Sequence, residues 1–330
     1  MPKSLFVEHL EQQENQEIED LFVVAQVERR TTREGNPFLV ARLKDRSGEI
    51  EAIAFDQVDH LEPRLERGQV VRIRGRVERF NQALRIKVLD AHPVPPQEIH
   101  LADFLPTTQR DVNQLLQKVR ELLNTLRNPY LRKLFQAMLA DEALVERLRL
   151  APAATSYHHN YLGGLLEHTQ NILRMADTLA RVYPHLDRDL LLAGAFLHDI
   201  GKVEEYELTP AGIEITDRGR LLGHILLGVE LLNRYAAQVP GFPGELLMRL
   251  QHMILSHHGE LEWGSPVRPA LVEAQVLHFL DNMDARIWMF AEAARHPRAP
   301  GSRWSEWWKP LGRMVFIPPP LNEETEDLFG

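Results

Sequence analysis

The strongest constraint in this sequence is a single change of hydrophobic period. Up to about Ala91, apolar residues alternate with polar ones or cluster as β-branched runs; from Asp111 onward they recur every three to four residues. A period of two lines one face of a strand, and a period near 3.6 lines one face of a helix, so the two halves cannot share one architecture. The switch falls at His92-Pro93-Val94-Pro95-Pro96, where proline can neither donate to a ladder nor continue a helix. Two unlike folding units are therefore expected, and 330 residues suit two or three domains.

The first half carries five strand-like runs: Leu21–Glu28, Phe38–Leu43, Glu49–Phe55, Val70–Arg79 and Ala83–Leu89. Turn signals stand between them at Gly35-Asn36-Pro37, from Asp45 to Gly48, and at Asn81-Gln82. Val58, Leu61 and Leu65 lie at helical spacing before Gly68, which reads as a short helix over Val58–Arg67. Three strands, a helix and two strands is the order of an OB-fold, a small barrel that often binds oligonucleotides. The multi-domain chain is thus expected to divide into a flexible arm over 1–17, an all-β OB-fold nucleic-acid-binding domain over 18–92, and a Pro-containing linker over 93–110. A helical connector over 111–150, an all-α bundle over 151–296 and a tail over 297–330 follow. Candidate helices in the bundle are Gly164–Val182, Asp189–His198, His224–Gln238, Gly244–His258 and Arg268–Glu292, with a strand at Met314–Ile317 in the tail.

Charge is distributed unevenly. The whole chain carries a formal net charge of −9, yet 64–90 holds eight basic residues against three acidic ones. Within it Arg72, Arg74 and Arg76 alternate with Val71, Ile73 and Val77, so one strand face is basic and the other apolar. Together with Arg85 and Lys87 these residues are expected to track the phosphates of single-stranded RNA or DNA. Phe38, Phe55 and Phe80 suit either base stacking or the barrel interior, and the interior is the expectation, because small barrels need large side chains inside. The tail's Trp304, Trp307 and Trp308 are apolar enough to dock another subunit or the barrel, which makes a homo-oligomer an expectation. No apolar run of about 18 residues and no signal-peptide pattern occurs, so the expectation is a cytoplasmic chain without membrane partners.

The chemistry lies in the second half. The chain has no cysteine, so any metal must be held by histidine and carboxylate. Eleven of the 15 histidines fall between His158 and His296. His168 lies early in one candidate helix, His198-Asp199 ends the next, His224 begins another, His257-His258 ends a fourth, and Asp281 sits within the fifth. Side chains so placed converge in the centre of a helical bundle. Seven sulfur-free donors suit a pair of divalent first-row ions, and such a pair activates water and clamps the oxygens of a phosphoester.

This order of residues resembles the HD-domain metal-dependent phosphohydrolases, with the doublet standing in FLHDIGK (Phe196–Lys202). HHNYLGGLLEHT (His158–Thr169), GRLLGH ending at His224, and SHHG (Ser256–Gly259) are similar to one branch, the YhaM-type 3′→5′ exoribonucleases, which also join an OB-fold to an HD domain. The resemblance implies that His168, His198, Asp199 and Asp281 hold one ion, and that Asp199 bridges to a second completed by His224, His257 and His258. Two ions per subunit are implied, manganese first, with iron, cobalt, nickel or zinc suiting the same donors. Lys202 is expected at a phosphate, or as a cation at the helix end after His198. His158 or His159 is expected to protonate a leaving oxygen or hold a phosphate. Asp284, one turn from Asp281, is either a partner of a ligand or a surface charge. His185, His252, His278 and His296 are expected to be packed or solvated.

The resulting expectation is a 3′→5′ exonuclease that hydrolyses single-stranded RNA, and also single-stranded DNA, to nucleoside 5′-monophosphates. An HD phosphohydrolase for nucleotides or cyclic dinucleotides is one alternative, weakened because Gly259-Glu260-Leu261 replaces the Gly-Tyr-Pro signature of the cyclic-dinucleotide branch. A non-catalytic single-strand-binding protein is the other.

Overall fold

A computed structural model describes residues 3–154 and 160–318. The chain forms two compact units. One comprises the residues up to Gln109 with Tyr161–Gly163 and Glu204–Leu221, and the other comprises the rest.

In the first unit β1 (Glu17–Thr31), β2 (Pro37–Asp45), β3 (Gly48–Ala54), β4 (Val70–Phe80) and β5 (Ala83–Pro93) close a barrel in the order β1-β2-β3-β5-β4. Closure comes from β1, whose residues pair with β4 at one end and β2 at the other, and from a parallel contact of β3 with β5. A register shift between Val24 and Gln26 bends β1 between its two partners. The short helix is confined to α1 (Val58–Leu61), followed by a 3-10 turn at Glu62–Arg64. Phe22, Leu39, Leu43, Ile73 and Ile86 fill the interior.

Two expectations are corrected here. Phe55 and Phe80 are 43% and 51% exposed, and Phe38, half-buried, stacks on Phe55 at 5.6 Å. Phe22 and branched aliphatic residues fill the barrel instead. The segment expected as an arm is anchored. Lys3 is buried with its ammonium 3.1 Å from Asp45 and 3.9 Å from Asp20, and it donates to the Leu21 carbonyl. Asp20 accepts from the backbone of Ser4 and Leu5, and Leu10 is fully buried on a 3-10 helix, Val7–Gln13. The anchor combines an ionic contact with one buried leucine, and neither gives a hydrophobic period.

The second unit is helical: α2 (Val112–Asn124), α3 (Pro129–Ala140), α4 (Glu142–Leu150), α5 (Gly164–Val182) and α6 (Arg188–Leu197) precede the short α7 (Lys202–Glu205). The chain then forms a hairpin of β6 (Tyr206–Thr209) and β7 (Gly212–Ile215), where only helix was expected. Then come α8 (Asp217–Ala236), α9 (Gly244–Ser256) and α10 (Val272–Ala294). The 111–150 helices are no separate connector, because Leu115, Leu134, Phe135 and Leu148 share one core with Leu191, Phe196, Leu231, Met253 and Leu277. The tail shows isolated bridges, Trp304 with Phe316 and Trp308 with Arg313, in place of a strand. Trp308 packs beside Ala293 and Leu311 and stacks on His296, whereas Trp304 and Trp307 are exposed.

Removing the Lys3 ammonium leaves two buried carboxylates without their cation, a loss of about 3 kcal/mol. Lys3→Met is therefore expected to lower the urea midpoint of barrel unfolding, and an unchanged midpoint refutes the anchoring role.

Candidate metal centre

Helix α6 is apolar on nearly every side, with Leu190 through Leu197 all buried, so its C-terminal end lies in the middle of the bundle. His198 and Asp199 occupy that end and are 0% and 3% exposed. All seven residues expected as ligands converge there. His168, His198 and Asp281 form one cluster of donor atoms, and His224, His257 and His258 form another. Asp199 stands between them. Its Oδ2 lies 3.5 Å from His198 Nε2 and 3.9 Å from His168 Nε2, while its Oδ1 lies 3.5 Å from Nε2 of both His224 and His257.

Backbone and carboxylate acceptors fix the imidazoles. His198 Nδ1 is 2.9 Å from the Ala195 carbonyl, and His257 Nδ1 is 2.7 Å from that of Ile254. A carbonyl only accepts, so each Nδ1 carries the hydrogen and each Nε2 turns a lone pair inward. His168 is gripped by α10 from both sides, with Nδ1 2.7 Å from Asp284 Oδ2 and Nε2 3.2 Å from Asp281 Oδ1. His168 Nε2 and His198 Nε2 are 3.2 Å apart, a contact that calls for a proton or a cation between them. Asp199 Oδ1, His257 Nε2 and His258 Nδ1 are buried without a hydrogen-bond partner. Inward-facing nitrogen and oxygen donors, several of them unsatisfied by protein, fit divalent first-row ions.

The electrostatics favour positive charge on the Asp281 side of the centre and neutral imidazoles on the other. Burial opposes charge on His168, but Asp281 and Asp284 outweigh it and push the imidazole up to about 10. Burial likewise works against the Asp199 carboxylate, yet Lys202 and His198 hold it well below the usual carboxylate range. His258 is pushed down to about 3 by burial and by its histidine neighbours, and burial also lowers His257, so both are neutral donors at pH 7. Lys202 is buried, with its ammonium 2.6 Å from Asp199 Oδ2. His158 and His159 lie outside the described residues.

On the barrel, Arg74 and Arg76 are exposed on the outward side of β4, and Arg72 and Lys87 are half-buried. None of these four has a carboxylate within 4.0 Å among the described residues. Arg85 differs. It is paired with Glu78 at 2.6 Å and covers the Phe80 ring at 4.1 Å. Glu17 and Glu19 of β1 stand opposite Arg76 and Arg74, so the outer face carries both signs.

Residues 165–286 match the HD domain family, and residues 22–94 match the family described as OB-fold nucleic acid binding domain. The chain is 36% identical to the 3′-5′ exoribonuclease YhaM of Bacillus subtilis (strain 168) over 260 residues, which cover 78% of this chain and 82% of that one. The protein of the same name from Oceanobacillus iheyensis is 34% identical, covering 84% and 87%. That of Halalkalibacterium halodurans is 32% identical over 314 residues, covering 94% and 96%. The chain belongs to the YhaM 3′-5′ exoribonuclease family.

In this YhaM-family chain two glycines explain how the ligand helices meet. A Cβ on Gly201 would lie 1.9 Å from the His224 carbonyl oxygen, so only glycine lets α8 approach the His198-Asp199 doublet. Gly259, at φ +84°, would place a Cβ 2.3 Å from the His278 ring, and His278 Nδ1 in turn lies 2.9 Å from the His257 carbonyl. His278 is thus packed, as expected, and His252 accepts from the Ala270 backbone. Asn171 and Arg110 are functional neighbours that sequence reasoning missed. Arg110 donates to Asn171 Oδ1 at 3.0 Å, and Asn171 donates to Asp284 Oδ1 at 3.1 Å, which orients the carboxylate that grips His168. Asn171 is one turn beyond His168 on α5, the only signal available.

Asp284→Ala is expected to weaken metal binding 10–100-fold, because it frees the His168 ring. Competition against a chelator measures this, and unchanged affinity refutes the orienting role.

Proposed function

We propose that the chain is a metal-dependent 3′→5′ exonuclease that hydrolyses single-stranded RNA, and also single-stranded DNA, to nucleoside 5′-monophosphates. The observation that carries this reading is the division of the Asp199 carboxylate between two triads of inward-facing donors. The polarity and the RNA substrate are supported by the relatives, which are named 3′-5′ exoribonucleases.

His168, His198, Asp199 and Asp281 would hold one ion, and Asp199, His224, His257 and His258 another, with manganese first and iron, cobalt, nickel or zinc suited to the same donors. When bound, such ions supply Lewis acidity toward phosphate oxygens and a nucleophilic water at neutral pH. The protein's own part is preorganisation. Hydrogen bonds at Nδ1 of His168, His198 and His257 hold the rings before any substrate arrives. Lys202 keeps Asp199 ionised and adds positive charge at the edge of the centre, where a phosphate oxygen gains negative charge during hydrolysis. On the barrel, Arg72, Arg74, Arg76 and Lys87 are available for phosphates, and Phe55 and Phe80 expose rings on which bases stack. No helix among the described residues is long and apolar enough to cross a membrane, and action in the cytoplasm belongs to the proposal.

Incubation of 5′-labelled single-stranded RNA with the protein, with and without manganese, tests the reading on a denaturing gel. A metal-dependent ladder that shortens toward the label is expected, and it is abolished in Asp199→Ala, which still binds the strand. An intact RNA that shifts in a binding assay overturns it. Replacing both Arg74 and Arg76 by glutamine is expected to weaken strand binding and to reduce its salt slope by about 1.4. An unchanged slope removes those residues from the interface.

A further inference from the structure

A cavity of about 420 Å³ adjoins the metal centre, with Asp199, Lys202 and Asp281 in its lining. It follows α10 from Asp281 to Met289, eight residues or about 12 Å along the helix. Its remaining lining has a chemistry that the metal cluster does not need. Trp263, 54% exposed, leans on the His278 ring at 5.7 Å with the planes 34° apart. Arg286 donates through Nε to Asn282 Oδ1 at 2.5 Å, and no carboxylate lies within 4.0 Å of its guanidinium among the described residues. Pro310 and Leu311 of the tail contribute a wall, and Leu311 is held by packing with Val315 and Ala293.

We propose that this cavity is the subsite for the 3′-terminal nucleotide, with its base on the Trp263 indole and its phosphate between the metal centre and Arg286. The inference rests on the nuclease reading above. An exposed indole presents a face on which any base stacks, which suits an enzyme that must accept every residue of a strand. A guanidinium oriented by a side-chain amide, with no carboxylate beside it among the described residues, is matched to phosphate oxygens. Pro310 and Leu311 bound the cavity beside α10.

The test uses the full-length, manganese-loaded protein and AMP as probe. Binding of AMP by calorimetry and the KM for a single-stranded oligoribonucleotide are measured for the wild type, Trp263→Ala, Trp263→Phe and Arg286→Gln, with metal content determined for each. Trp263→Ala and Arg286→Gln are expected to weaken AMP binding and raise KM about tenfold each at unchanged metal content, while Trp263→Phe restores most of the affinity. Equal AMP affinity and equal KM in all four proteins, with RNA still hydrolysed, overturn the subsite and leave the nuclease reading standing. If RNA is not hydrolysed but AMP binding depends on Trp263 and Arg286, the nuclease reading falls and the nucleotide subsite stands.

Discussion

The helical unit is organised around charge that its apolar core cannot accommodate alone. Asp199 sits at the end of a helix buried on nearly all sides, where an isolated carboxylate would be far too costly to keep ionised. Lys202 compensates Oδ2 directly, but Oδ1 faces His224 Nε2 and His257 Nε2 at 3.5 Å, and the His257 nitrogen turns its lone pair toward it. Repulsion of this kind is removed by positive charge placed among the donors. The interior is therefore complementary to cations, and the surrounding hydrogen bonds to Ala195, Ile254 and Asp284 prevent the rings from turning away to relieve it.

Much of this centre was legible in the sequence because each ligand stands at a helix boundary or on an inward stripe. The His198-Asp199 doublet follows an apolar run that could only be buried, and His257-His258 ends another helix beside a glycine. His224 was expected to begin a helix; α8 opens at Asp217 instead, but the backbone leaves helical geometry at Gly223, so a straight segment does begin at His224. Asp284 was left open between two roles, since spacing on α10 places it one turn from Asp281 without showing which faces His168. Only the fold shows that both do.

What was not legible follows from interactions with no periodic signature. The N-terminal segment reads as an arm because its apolar content is low, yet a buried lysine between two aspartates ties it to the barrel. The hairpin at Tyr206–Ile215 is too short to establish a period of two against the helices on either side. Size alone favours an inward place for Phe38, Phe55 and Phe80, but Phe22 with Leu39, Ile73 and Ile86 occupies the interior, and Phe55 and Phe80 remain outside.

Neither compact unit is closed by one crossing of the chain. Tyr161–Gly163 and Glu204–Leu221 belong to the barrel's unit although they lie between segments of the helical one. The polypeptide therefore passes from one unit to the other several times, not once at the proline run. Neither unit is a continuous stretch of sequence, so a cut at 92–110 yields a barrel missing its hairpin and a bundle burdened with one.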